Sequence, residues 1–312
     1  MDQAILNLMA RVQQAPDEGA RERLQGETNP VLGAHFARYP HELEEFAFDL
    51  LNAAWADAMG QDIVPQIIEV KTVGLGEPDY IDEDLRGQRA YWQGKGGQIL
   101  SDIIRYERSQ MPREEMVTAF DYHQDEIATN FWGTFEKVTG QAREKLRQLP
   151  VERLIELVQA AISSGVNYGV FSASTFSSAQ LDSVLLEVAR ASRGGVTIFG
   201  TDVAMTHLAG IGLEFGDNVA EQVFRTGRIG QYKGHRFVEV ENFENFLGNF
   251  VLPDDELWIV GRNAGRLTYY GPQAKVQQLR LPSFFGRWET ARDAGMLLYG
   301  ADRGRVGRIV LV

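Results

Sequence analysis

Apolar positions in the first sixty residues form two helical stripes separated by a polar stretch. Ile5, Leu8, Met9 and Val12 recur at helix spacing. Residues 16–30, bounded by Pro16 and Pro30, have no period and predict a strap or linker. Pro40 stands where a first helical residue would, ahead of Leu43, Phe46, Ala47, Leu50, Leu51, Ala54 and Ala58, and Gly60 can end that helix. Residues 65–112 change character. Residues 66–73 are β-prone, Gly74, Gly76 and Pro78 break the run, and Asp79, Asp82, Glu83 and Asp84 predict an acidic tip. A second β-prone run starts at Ala90, Tyr91 and Trp92, is interrupted by Gly94, Lys95, Gly96 and Gly97, and resumes near Ile99. The pattern is a long two-stranded excursion, too thin to hold a core, that has to lean on its own domain or on a neighbour.

From Ile127 the period becomes helical. Phe131, Phe135, Val138, Ala142, Leu146 and Leu149 repeat at steps of three and four, and Val151, Leu154, Ile155, Val158 and Ile162 continue beyond Pro150. Together they predict a long helical rod, kinked at the proline. After Gly165 the pattern is mixed. Residues 166–171 suggest a strand, and Ser177 with Gln180 matches a capping box before Leu181, Val184, Leu185, Val188 and Ala189. Gly194 and Gly195 close that helix, residues 196–199 predict a buried strand, and Thr201 and Asp202 cap a short helix through Leu208. Strand, helix, strand in this order implies a small α/β layer. Residues 238–241, 256–260 and 308–312 are further strand-like runs, and there is no internal repeat.

Composition narrows the classes. A chain of 312 residues fits about two domains. It has no cysteine, which excludes disulfides, thiolate zinc sites, iron–sulfur clusters and a cysteine nucleophile. Residues 1–130 hold 11 basic and 24 acidic side chains, and the remainder 20 and 19, so the net charge of −12 lies in the first part. An acidic surface disfavours direct binding of nucleic acid. Met1, Asp2 and Gln3 open no signal peptide, and no apolar run approaches the ~18 residues of a membrane span. A soluble, intracellular chain with no membrane partner is expected.

The search for chemistry returns little. Gly94, Lys95, Gly96 and Gly97 lack the spacing of a phosphate loop, and Gly227, Gly230 and Gly234 read as turn glycines. Asp121, His123 and Asp125 alternate as metal ligands on a strand would, yet they run into a helix whose first turn uses carboxylates. His35, His41, His207 and His235 form no ligand pair. Ser172, Ser174, Ser177 and Ser178 build no nucleophile elbow, and Arg303, Arg305 and Arg308 fit a turn before the last strand better than an anion site. No catalytic residue, cofactor site or metal site is assigned, and the expectation is a scaffold rather than an enzyme.

The order of parts resembles the tailed-bacteriophage major capsid protein, the Johnson fold. Gly230 to Val240 is similar to the family's glycine turn and strand, Leu252 to Gly261 to its next apical strand, and Trp288 to Met296 with Gly307 to Leu311 to its last peripheral strands. The resemblance implies an α+β fold with an N-arm, an extended β-hairpin loop, a spine helix, a peripheral domain and an α/β axial domain. By position, residues 1–64 would be the N-arm, 65–112 the extended loop and 113–165 the peripheral domain with its spine helix. Residues 166–283 would be the axial domain, and 284–312 would return to the peripheral domain.

The resemblance further implies a self-assembling subunit of hexamers and pentamers in an icosahedral head. Its partners would be copies of itself, a portal protein and double-stranded DNA enclosed without sequence-specific binding. It would reside in the virion after assembly in the bacterial cytoplasm. The sequence leaves no room for the helical scaffolding segment of some relatives, so a separate scaffolding protein is expected. Lys71 and Lys95 lie on the hairpin, but no asparagine follows Lys275, which speaks against lysine–asparagine cross-links. Tyr91, Trp92 and Lys95 on the hairpin, and Phe243, Phe246 and Phe250 in a polar loop, are the expected inter-subunit contacts. The alternatives are an encapsulin-like nanocompartment subunit and, from another class, a soluble α/β enzyme or a ligand-binding module.

Overall fold

The computed structural model describes residues 3–60, 63–84, 106–163, 170–173, 178–192, 195–210, 230–244, 248–261, 264–271, 275–280, 285–298 and 305–311. Along these the chain runs α1 (Gln3–Gln13), α2 (Glu18–Arg38), α3 (Pro40–Gly60), α4 (Val64–Ile67), β1 (Glu69–Val73), β2 (Tyr80–Asp84), β3 (Tyr106–Gln110), β4 (Glu114–His123), α5 (Gln124–Thr129) and α6 (Phe131–Ser163). It continues through β5 (Val170–Ala173), α7 (Ser178–Ser192), β6 (Val196–Gly200), α8 (Asp202–Gly210), β7 (Gln231–Tyr232), β8 (His235–Glu239), β9 (Glu256–Gly261), β10 (Gly265–Tyr270), β11 (Lys275–Arg280), β12 (Phe285–Leu298) and β13 (Val306–Leu311). These fall into two compact units. The first comprises Met1–Asp62, Glu115–Val151 and Gln273–Asp293, the second Ile63–Glu114, Glu152–Pro272 and Ala294–Val312.

The first unit is helical on a small sheet. The period read from residues 43–58 buries Leu43, Ala47, Leu51, Ala54 and Ala58 of α3, which begins at Pro40 and ends at Gly60 as expected. Its core is aromatic: Phe36 stacks on Phe131 at 5.0 Å, Phe46 meets Phe135 edge-on at 4.9 Å, and Trp288 lies 4.2 Å from Tyr122. β11 pairs antiparallel with β12 from Lys275 opposite Ala291 to Arg280 opposite Gly286, and β4 also pairs with β12.

The polar stretch expected to be a strap is instead most of α2. Asp17 caps it, accepting from the Ala20 amide at 2.7 Å, and Pro30 lies inside it. The helix earns its place through polar contacts that periodicity does not register. Trp132 donates its indole N–H to Thr28 Oγ1 at 3.0 Å and its amide to Asn29 Oδ1 at 3.0 Å, and Arg21 and Gln25 both donate to Glu136. Leu32 and Phe36 supply the buried apolar anchor.

The second unit holds a six-stranded mixed sheet in the order β5-β13-β9-β6-β8-β7. β13 runs parallel to β5 and antiparallel to β9, and β6 runs antiparallel to β9 and parallel to β8. Leu181, Val184, Leu185 and Val188 of α7 and Ala204 and Leu208 of α8 pack with Ile198, Leu257, Ile259 and Ile309. The predicted strand over 196–199 and the Thr201 cap are found in place: the Ala204 amide donates to Thr201 Oγ1 at 3.2 Å. β7 and β8 turn tightly through Lys233 and Gly234, both at positive φ (49° and 82°), the geometry of a two-residue hairpin that glycine makes easy. β10 and β11, which residues 265–280 give no clear sign of, complete the sheets. β1 pairs in parallel with β10, and β10 antiparallel with the end of β12.

The helical rod expected on both sides of Pro150 is one continuous element. α6 spans 33 residues, roughly 50 Å at 1.5 Å per residue, with Pro150 inside it. The predicted ribbon is present at its root, where β2 and β3 pair antiparallel from Tyr80 opposite Gln110 to Asp84 opposite Tyr106. Asp82, Glu83 and Asp84 stand on β2, opposite Arg108, Glu107 and Tyr106.

Candidate assembly surfaces

Two features of the second unit belong to the regions expected from the sequence to carry subunit contacts: the root of the β2–β3 hairpin and the loop over residues 241–252. The root is built on Asp79, only 3% exposed. Its backbone carbonyl accepts from the Met111 amide at 3.0 Å, which closes the hairpin next to the first strand pair. Its carboxylate accepts from Lys71 Nζ at 2.6 Å and from Thr268 Oγ1 at 2.8 Å, and Arg266 lies 3.5 Å away. Burial pushes this carboxyl up, but the hydrogen bonds from Lys71 and Thr268 and the charges of Lys71 and Arg266 outweigh it. The group titrates below its ordinary range. The hairpin is thus tied to β1 and β10 through one buried acid, where the sequence pattern suggested an exposed acidic tip.

The described flanks of the loop over 241–252, residues 241–244 and 248–252, are clamped together. Asn242 donates to the Leu252 carbonyl at 2.9 Å and to Asp254 at 3.1 Å, and its own Oδ1 accepts from the Leu252 amide at 3.3 Å. The Val251 amide donates to the Phe243 carbonyl at 3.0 Å, and Glu244 bridges Phe250. Gly248 takes a positive φ of 77° within the turn. Phe250 is 64% exposed, while Phe243 is half-buried. Asn242, which holds both ends of the loop, carried no signal in the sequence. Phe246, Tyr91, Trp92 and Lys95, with Gly94, Gly96 and Gly97, lie outside the described residues.

Several of the residues weighed for chemistry make contacts within the chain. Asp121 accepts two bonds from Arg287, at 2.6 and 3.0 Å, which hold its carboxyl below the ordinary range. His123 caps α5, its Nδ1 accepting from the Asp125 amide at 3.2 Å. His35 pairs with Glu42 at 2.8 Å. Arg308 pairs with Glu256, and Arg303 lies outside the described residues. Among the described residues no group of three His, Cys, Asp or Glu side chains could hold a metal ion, and no helix is long and apolar enough to cross a membrane.

The architecture has counterparts among solved structures. A virus-like particle from Pyrococcus furiosus superposes with a TM-score of 0.52 at 13% identity, over 84% of this chain and 99% of that one. A structure from Mycobacterium phage Bobi gives 0.54 at 12%, over 80% and 90%, and the capsid of cyanophage P-SCSP1u 0.52 at 12%, over 80% and 88%. No curated protein sequence matches. The fold is that of phage capsid proteins, the Johnson fold, as the order of parts along the sequence implied. Residues 17–268 match the family described as "SPbeta prophage-derived putative capsid protein YonB", and the chain belongs to that capsid-protein family. Family and fold both point to a structural rather than a catalytic role.

Proposed function

We propose that the chain is the major shell subunit of a tailed-phage head, assembling into hexamers and pentamers of an icosahedral shell around double-stranded DNA. The observation that carries this reading is the match of residues 17–268 to a capsid-protein family. In this reading residues 1–64 are the N-arm, 65–112 the extended loop, 113–165 the peripheral domain with its spine helix, 166–283 the axial domain and 284–312 the returning peripheral strands. The 33-residue α6 supports the spine assignment, and the pairing of β2 with β3 across 21 intervening residues supports the loop. Tyr91, Trp92, Lys95, Phe243, Phe246 and Phe250 are the proposed contacts between subunits. The exposed Phe250 ring on a clamped loop supports its share, since a large apolar side chain held in water favours burial by a partner.

Head-to-tail contacts of this kind close into rings, and modest contacts repeated many times give a stable shell. A separate scaffolding protein and a portal protein are the other proposed partners, with assembly in the bacterial cytoplasm and residence in the virion. The charge of −12 suits a wall that encloses DNA without gripping it. Negative-stain microscopy with light-scattering mass across a concentration series tests the reading. Rings of five or six, tubes or closed shells are expected. A 35.0 kDa monomer at every concentration, also after co-expression with a scaffolding protein, would refute it. The 99% coverage of the virus-like-particle chain favours a second reading, a nanocompartment shell. Nuclease-protected DNA in purified particles separates the two, since only a phage head carries a genome.

A further inference from the structure

Helix α2 is anchored unevenly along its length. Its C-terminal part is held by Leu32 and Phe36, both fully buried, with Phe36 stacked on Phe131 at 5.0 Å. Ahead of that, over residues 13–27, no side chain is buried. The turn between the two parts, residues 26–30, opens on glycine and closes on proline, the two poorest helix formers. Pro30 has no N–H to give the Gly26 carbonyl. Thr28 turns its hydroxyl back onto the Leu24 carbonyl at 2.7 Å, a bond that tends to bend helices.

The first part is held down by little. One carboxylate oxygen, Glu136 Oε1, accepts from both Arg21, at 2.8 Å, and Gln25, at 2.9 Å, and the Arg21 and Glu136 side chains are each about half exposed. An ion pair that water reaches so freely contributes little. The apolar anchor is Ile5, Met9 and Val12 of α1, all buried, with Leu24 of α2 half-buried, and α1 packs on α2. Neither helix end stands without the other. At 11 residues α1 is shorter than an isolated helix needs to hold in water, and the start of α2, with Gly19 and Gly26, is a poor helix by itself. The bonds of Trp132 to Thr28 and Asn29 lie at the turn and fix it in place.

We propose that residues 3–25 form a strap that melts away from the first unit as one piece, hinged at residues 26–30, while the rest of the chain stays folded. Such local opening is drawn from segments with few buried apolar contacts and many exposed bonds. Closed, the strap keeps Ile5, Met9 and Val12 out of water. Open, it presents them together with the surface they cover.

Native-state amide exchange on the full chain tests this. Amides of residues 7–13 in α1 and 22–25 in α2 are expected to share one protection, at least tenfold below that of α3 and α6. Gly26→Ala places its methyl where nothing lies within 4 Å, and stiffens the hinge turn. It is expected to raise the protection of both groups by one common factor, about two- to fivefold. Val12→Ala, on α1, is expected to lower both by a common factor. Trypsin gives a second reading: cleavage after Arg21 or Arg23 should precede any cut within α6, and Gly26→Ala should slow it by the same factor as the exchange. Protection of both groups equal to that of α3 and α6 would overturn the proposal, because the strap would then open only with the whole molecule. A response confined to the helix that carries the substitution would also overturn it, as the fraying of two separate ends.

Discussion

Replacing Asp79 by alanine should loosen the root of the β2–β3 hairpin. The variant removes two charge-assisted hydrogen bonds, from Lys71 and from Thr268, each ordinarily worth about 1.5–3 kcal/mol. They do not count equally. The Lys71 side chain is 44% exposed and recovers water when its partner is lost, so its bond contributes at most ~1 kcal/mol. Thr268 is fully buried, and its stranded hydroxyl bears the full loss. Asp79→Ala is therefore expected to cost about 2–4 kcal/mol and Lys71→Ala ~1 kcal/mol or less. Thr268→Val should cost about 1–3 kcal/mol alone and almost nothing beside Asp79→Ala, because the two share one bond.

Urea unfolding gives the magnitudes. Amide exchange gives the place: amides of β2 and β3 should exchange faster while those of β6 and β9 keep their protection. The acid dependence has a fixed sign. A native carboxyl titrating below its unfolded value of about 3.9 stabilises above that pH, and the contribution is lost as pH falls through the lower native value. The gap between wild type and Asp79→Ala should thus be flat at neutral pH and shrink in acid. A loss for Asp79→Ala below ~1 kcal/mol, or one matched by Lys71→Ala, would refute the claim that Asp79 organises the root.

Trp288→Ala removes a buried ring stacked on Tyr122 and leaning on Phe135, and should cost about 3–5 kcal/mol in chemical denaturation. Gly295→Ala would place a Cβ 1.8 Å from the Pro112 carbonyl oxygen, a backbone atom that cannot step aside, and should depress the melting temperature sharply. Gly140→Ala on the open face of α6 meets nothing within 4 Å and should instead stabilise by about 0.5–1 kcal/mol. Trp92→Ala and Phe250→Ser should leave circular dichroism and melting unchanged yet reduce the yield of particles seen by microscopy. A drop in subunit stability would show either side chain to be core.

What the sequence disclosed was local. α3, β6 and α8 each carry their own period and cap, so Pro40, Gly60 and Thr201 could be read as boundaries without knowing what they pack against. The long α6 was legible for the same reason, its apolar steps persisting on both sides of Pro150. Failure came where partners are distant or polar. α2 is held by Thr28 and Asn29 against Trp132, more than a hundred residues away, and no hydrophobic spacing announces such bonds. Asp79 looked like one more surface acid, since Thr268 stands 189 residues further on. Of the proposed contact residues, Phe250 is exposed and Phe243 half-buried, a difference set by the Asn242 clamp that the loop's composition did not reveal.

Among the described residues the six-stranded sheet begins and ends on its shortest members, four residues in β5 and two in β7. A free strand edge is a template onto which a second copy can zip. Stubby outer strands give such zipping little to grip, whereas the six-residue, fully buried β9 stays inside the stack. Growth of this sheet by edge-to-edge pairing is thereby disfavoured, and contacts between copies fall to side-chain surfaces instead.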